Sequence, residues 1–502
     1  MSIAPAADLG FFPSPLSMRL TIAAACVALA DWLFYGWEIG ISLALFLGVL
    51  GVVAVLSNGV GVTRKTQIVM AAVFVAGLLA LIEHVNILSV TMGTLAAALF
   101  VIVLTAHESS SWQRCLFEAA TTPFRGPFDL AGDLFGALTL IKERFPEWLR
   151  IGSLIAWIIP LGAFAIFLGL FASANPLIEY GLKQLDLRIF FNVLDPRRMG
   201  FWVLVVCAIW PVIRRPILRK LTLQHELRVG GAADFPGMDD LFGVRAISRS
   251  LILFNGLFAL QTVLDLAYLW GGANLPDGMS HAEYAHRGAY PLIVTALLAA
   301  GFVLIAMRPN GPAEQSRLIR PLVLLWTGQN ILLVVSSIFR LDLYVGAFSL
   351  TYLRLAAFIW MMLVATGLVL MLIQIVLKKS NSWLLSANAI SLALVLYGCC
   401  FLNAPWVVAY YNVEHCREVG GTGPNLDLQY LASLGPQSLP PLEAHLKEFL
   451  GIFPYSLAYR MSEDRNFFEY SGNWRAWGFR AWRLERYFAN KSWLNPSKSD
   501  KG

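Results

Sequence analysis

Eleven apolar stretches, each near the ~20 residues a helix needs to cross hydrocarbon, constrain this chain more than any other feature. They lie at 18–35, 39–57, 67–83, 86–106, 151–173, 200–218, 250–270, 288–307, 321–340, 352–377 and 383–403. Backbone polar groups in lipid must be satisfied within the segment, so such stretches become helices. An all-α polytopic membrane protein with about 11 transmembrane helices is therefore expected. Composition agrees, because 57% of the 502 residues are hydrophobic and 14% charged, against a charged share of ~25% in soluble domains.

Basic residues orient the spans, since Lys- and Arg-rich loops stay in the cytoplasm. With the N-terminus inside, the inner segments carry 20 basic residues and the outer loops before the tail carry seven. An odd number of spans then leaves the tail extracytoplasmic. Residues 19–30 resemble a short signal peptide, but Trp32, Leu33, Phe34 and Tyr35 extend the apolar run, so an uncleaved first span is expected. Of the six cysteines only Cys416 lies clearly in the tail, which leaves no disulfide framework or zinc spacing there.

The expected organisation is a four-helix membrane segment at 1–106, a cytoplasmic loop at 107–150, a membrane core of about seven helices at 151–404 and a small, mainly helical extracytoplasmic region at 405–502. In the loop, Pro123 and Pro127 act as interruptions, and Phe128, Ala131, Phe135, Leu138 and Lys142, like the apolar set Leu134, Leu138 and Ile141, follow the spacing of an amphipathic helix on the inner membrane surface. The outer stretch 176–196 has a similar pattern. In the tail, Asn425 or Asp427 is placed to cap a short helix, and 441–451 reads as a second. At 473–491, Trp474, Trp477, Ala481, Leu484 and Phe488 fall on one helical stripe, beside Arg475, Arg480, Arg483 and Arg486. That stripe fits either the outer leaflet or a small domain of its own.

Charge inside hydrocarbon costs roughly 2.5–3.5 kcal/mol on insertion scales, so buried ionic groups need partners or water. Gln261, Asp265 and Tyr268 share one helical face, as do Asn330, Ser337, Arg340 and Tyr344. With Asp342 and Arg354 they form a candidate polar cluster on the outer half of the bundle. The cluster reads as an ion pair fixing helix register or as a pocket. Pro160, Gly162 and Pro211 fit either a cavity or packed kinks. Asp31 and Glu38 bracket an outer turn that fits a metal or sugar-phosphate donor site or, more commonly, a water-facing loop, and Glu83-His84 ends a span where a solvated loop is expected. No nucleophile elbow, phosphate-binding loop, zinc-protease or dinucleotide motif occurs.

Four spaced motifs carry a resemblance: Gln261-Thr-Val-Leu-Asp265-Leu-Ala-Tyr268, His281-Ala-Glu283-Tyr284-Ala-His-Arg287, Ser337-Ile-Phe-Arg340-Leu-Asp342-Leu-Tyr344 and Leu350-Thr351-Tyr-Leu-Arg354. Tyr411-Asn412-Val and Leu426-Asp427-Leu-Gln-Tyr430-Leu431 add to it. Over roughly 250–440 the chain resembles the uncharacterised bacterial integral-membrane family catalogued as domain of unknown function 4173 (DUF4153/DUF4173-like). The resemblance implies that Glu283, Tyr284, Arg287, Arg340, Tyr344, Thr351 and Arg354 belong to the family signature, and it implies no reaction. Where that family usually has Gly-Leu-Thr, this chain has Ser349-Leu350-Thr351.

Absent catalytic motifs, the expected function is that of a non-enzymatic bacterial inner-membrane protein in envelope maintenance or signalling. The alternatives are a transporter using the polar cluster and an envelope enzyme acting on a lipid-linked substrate. Membrane lipid and a membrane or periplasmic protein are the expected partners; no nucleic acid, cofactor or metal is expected.

Overall fold

The computed structural model describes residues 16–105, 112–144, 195–214, 244–267, 318–445, 448–449 and 473–489. All regular structure among them is helical. The chain divides into two units, one of residues 1–220 with 473–483, the other of 221–472 with 484–502.

The first unit holds α1 (Leu16–Phe34), α2 (Ile41–Asn58), α3 (Arg64–Glu83), α4 (Ile87–Thr105), α5 (Trp112–Arg144) and α6 (Pro196–Ile213). Short turns make α1 to α4 run alternately up and down. The start of α6 meets the end of α1, where Arg198 Nε donates to Asp31 at 2.8 Å. Its end meets the end of α2, where Asn58 donates to the Ile213 carbonyl at 3.2 Å. Helices α2 and α6 are therefore parallel. Leu33, Leu50, Leu81, Ile209 and Trp210 pack between them and their neighbours.

Helix α5 runs through Pro123 and Pro127 without a break, which corrects the expected interruption. Proline's φ suits a helix; it removes one hydrogen bond, and tertiary packing supplies the support. Gly126 lies so close to α6 that a Cβ would fall 1.7 Å from the Cys207 carbonyl oxygen, so only glycine admits this crossing. Asp129 and Asp133 bind Arg214 at 2.9 and 3.0 Å. Phe117, Phe124, Phe128 and Phe135 line up on a face left exposed.

The second unit contains α7 (Val244–Asp265), α8 (Ile319–Phe348), α9 (Tyr352–Leu377), α10 (Asn381–Phe401), α11 (Ala404–His415), α12 (Leu428–Ser433) and α13 (Leu439–Ala444). Asn255 of α7 donates to the Leu322 carbonyl early in α8 at 3.1 Å, while Asp265 at the end of α7 meets Ser336 late in α8 at 2.6 Å. These two helices are also parallel. Asp427 caps α12 through the Tyr430 amide, as its side chain foretells.

Eight helices among the described residues are long and apolar enough to cross a membrane: α2, α3, α4, α6, α7 from Ile247, α8, α9 and α10. Only 17% of the span of α9 and 11% of that of α10 is buried. Such wide apolar surfaces suit lipid as solvent. Helix α1 forms where the first span is expected, whereas spans 151–173 and 288–307, and residues 176–194 of the outer stretch, lie outside the described residues.

The expected helix at 473–491 is shorter. A 3-10 turn at Trp474–Ala476 precedes α14 (Phe479–Ala489), because the Trp477 carbonyl accepts from the Ile41 amide at 2.7 Å instead of closing a helical turn. The stripe is divided accordingly. Trp474 is exposed, while Leu484 is buried and Phe488 packs on the core of the second unit.

Candidate functional site

The α7–α8 seam holds a buried polar group. Asp265 accepts from Gln261 one turn earlier at 2.9 Å, from Ser336 at 2.6 Å and from the Arg340 guanidinium. Asp265 and Arg340 are both buried. Helical spacing explains the set: Gln261 and Asp265 are four apart on α7, Ser336 and Arg340 four apart on α8. Desolvation of the two charges is offset by their mutual attraction and by the added hydrogen bonds.

One turn beyond Arg340, Tyr344 begins a second group around the α8–α9 connection. The Arg354 guanidinium lies 4.4 Å from the Tyr344 ring centre and donates to the carbonyls of Phe348, at 2.6 Å, and Ser349. Thr351 caps α9, its hydroxyl accepting from the Arg354 amide. Asn412 of α11 grips the connection from the other side, accepting from the Leu350 amide at 2.7 Å and donating to the Leu350 carbonyl at 2.9 Å. Tyr352 donates its amide to the Tyr430 hydroxyl at 2.8 Å. A cavity of about 80 Å³ lies beside these groups, lined in part by Ser349, Asn412 and His415. Burial raises the Cys416 thiol above its ordinary pKa at the rim of that cavity.

Ser349 has φ 65° and ψ 164°. This region is nearly reserved for glycine, and here a serine occupies it. The connection is over-determined by Asn412, Arg354 and Tyr430, which is how such a conformation persists.

Of the sequence-predicted site residues, the structure joins Gln261, Asp265 and Arg340 in one group and Tyr344, Thr351 and Arg354 in another. Asp342 is exposed and takes no part in the first. Tyr268, Glu283, Tyr284 and Arg287 lie outside the described residues. Ser337 and Asn330, expected on the polar face, donate instead to carbonyls of their own helix. Ser336 does the bridging; its position four before Arg340 puts it on the same face, as three before puts Ser337, so spacing alone does not choose between them. Asn412 and Tyr430 sit in the quoted motifs, but only folding shows that they hold the α8–α9 connection.

The first unit has ionic sites of its own. Asp31 accepts from Arg198 and from the Trp202 indole at 2.8 Å, and Glu83 is buried against Arg480 at 3.1 Å and Arg483 at 2.8 Å. Both findings correct the expectation of solvated loops; the opposing cations lie far away in sequence. Asp195 caps α6. The Arg197 amide and then the Tyr35 hydroxyl hold its pKa below the ordinary aspartate value. Among the described residues no three His, Cys, Asp or Glu side chains gather as metal ligands.

Helices of membrane length joined through a buried polar seam define an all-helical membrane protein. A family model described as "Domain of unknown function (DUF4153)" matches residues 44–445, and the chain belongs to that family. The match extends well beyond the stretch that carries the motifs, and the family bears the number 4153, not 4173. No curated protein and no solved structure matches the chain.

Proposed function

We propose that this protein is a multi-pass component of a bacterial inner membrane that acts by binding, not by catalysis, its outer polar half recognising lipid or a membrane or periplasmic protein in envelope maintenance or signalling. The carrying observation is the engagement of the polar residues at the α7–α8 seam and the α8–α9 connection. Asp265 accepts from three side chains, and Arg354 is taken up by two carbonyls and the Tyr344 ring. A general acid or base exchanges its proton with a substrate; these groups fasten helices and stiffen a surface.

The topology is eleven spans with the N-terminus inside and residues 405–502 outside. The basic bias of 20 to seven supports it. So do the parallel pairs, since helices running the same way are separated by an odd number of crossings, as the spans expected from sequence at 151–173 and 288–307 would provide. Alkaline phosphatase fused at residue 420 is expected to be active and at residue 230 inactive; the reverse pattern would overturn the topology.

A transporter is the second reading, favoured by one observation. The side-chain oxygens of Asn255, Gln329 and Asn330 are buried with no donor among the described residues, while their amide nitrogens donate to backbone carbonyls. Acceptors of this kind suit water or a cation. Reconstituted protein is expected to show no proton- or sodium-coupled flux. Flux abolished by Asp265→Asn would replace the binding reading with transport.

A further inference from the structure

At one end of the first unit, Arg475 sits among three indoles. Its guanidinium carbon lies 4.7 Å from the Trp32 ring centre, 4.9 Å from Trp37 and 5.1 Å from Trp474. Its Nε donates to the Trp32 carbonyl at 3.1 Å and its Nη1 to the Asn473 side-chain oxygen at 3.4 Å, which leaves Nη2 as the open donor among the described residues. No carboxylate among the described residues pairs with it, Glu38 in the same turn included. The rings are far from enclosed: Trp32, Trp37 and Trp474 are 55%, 50% and 46% exposed, and Ile39 beside them 53%.

The position of the group gives it meaning. Residues 35–40 connect α1 to α2, so they stand where a membrane-length helix begins. The 473–483 segment is fastened there independently of Arg475. Trp477 accepts from Ile41, Gly40 is pressed so close to Ala476 that a Cβ would lie 2.3 Å from its carbonyl carbon, and Arg480 and Arg483 bind Glu83 at the end of α3. Tryptophan favours the zone between hydrocarbon and water. A guanidinium stacked on indole keeps its charge and its donor edge, and its fork matches phosphate.

We propose that Trp32, Trp37, Trp474 and Arg475 form a binding site for the phosphate headgroup of an anionic phospholipid at this end of the bundle. The rings cover the upper acyl and glycerol region, and the guanidinium edge takes the phosphate. The site belongs to the first unit and the α7–α8 seam to the second. It gives a chemical class to the lipid partner named above, and so rests on that part of the reading.

The full chain carrying Ile39→benzoylphenylalanine, in nanodiscs of equal phosphatidylglycerol and phosphatidylcholine, reads the proposal directly. Photo-capture is expected to favour phosphatidylglycerol about fivefold, the effect of one basic residue near an anionic surface. Adding Arg475→Gln should bring the ratio near one, and Arg475→Lys should keep part of the preference. Equal capture of both lipids by the Arg475 protein overturns the site, while leaving a lipid partner elsewhere untouched. Loss of the preference on adding millimolar inorganic phosphate also overturns it, by making soluble phosphate the ligand. Because the ratio is read first with Arg475 in place, misfolding of the variants does not shield the proposal.

Discussion

Asp265 and Arg340, 75 residues apart in sequence, form an ion pair across the α7–α8 seam, where they are 3% and 2% exposed. Both charges are withdrawn from the surface, so each leans chiefly on the other.

Removing one partner leaves the other buried and uncompensated. Asp265→Ala and Arg340→Ala should each destabilise the second unit by about 3–5 kcal/mol. The double variant should lose clearly less than the sum of the two. Denaturant unfolding of the full chain in detergent micelles measures this, and additive losses would show that the pair is not coupled.

Asn412 makes two hydrogen bonds to the backbone of Leu350. Asn412→Ala strands a buried amide and a buried carbonyl at about 1–3 kcal/mol each. The expected result is a lower unfolding midpoint and faster proteolysis at the α8–α9 connection. An unchanged midpoint would mean that the connection stands without α11.

Ser349 occupies a backbone region that disfavours every residue but glycine. Ser349→Gly should therefore stabilise the protein by about 1–3 kcal/mol through relief of strain, less whatever glycine adds to the freedom of the unfolded chain. A loss of stability would place an unseen role on the serine side chain.

Asp195 has a folded-state pKa held below its ordinary value, chiefly by the Arg197 amide and then by Tyr35. A depressed carboxyl contributes stability that is present above the unfolded value of 3.8 and is lost as pH falls through the folded value. Asp195→Ala should therefore melt below the parent at pH 7, with the two converging as the solution is acidified beneath 3.8. A gap that persists in acid would assign the effect to something other than the carboxylate.

Much of the architecture was legible because hydrocarbon imposes a simple code. Long apolar runs must be helices, and α2, α3, α4, α9 and α10 lie close to where those runs stand. Asp265 and Arg340 stood out for the same reason, since an ion in an apolar helix calls for a partner. Choosing Ser336 over its neighbour Ser337 required the rotation of α8 against α7, a difference of one residue and about 100°. The continuity of α5 through two prolines was hidden as well, because its support comes from α6.

Sequence alone determined what depends on local chemistry: apolar length, helical periodicity, a helix cap at Asn425 or Asp427 and the bias of basic residues. Tertiary structure alone decided which distant charges meet. Glu83 and Arg480 are separated by 397 positions, and nothing within one turn of either residue specifies the other. The same holds for Asp31 with Arg198, for Asn412 with Leu350 and for Arg475 with Trp32 and Trp37. Pairing at such separation is set by the packing of whole helices, which brings any two residues of the right depth and face together whatever lies between them in the chain.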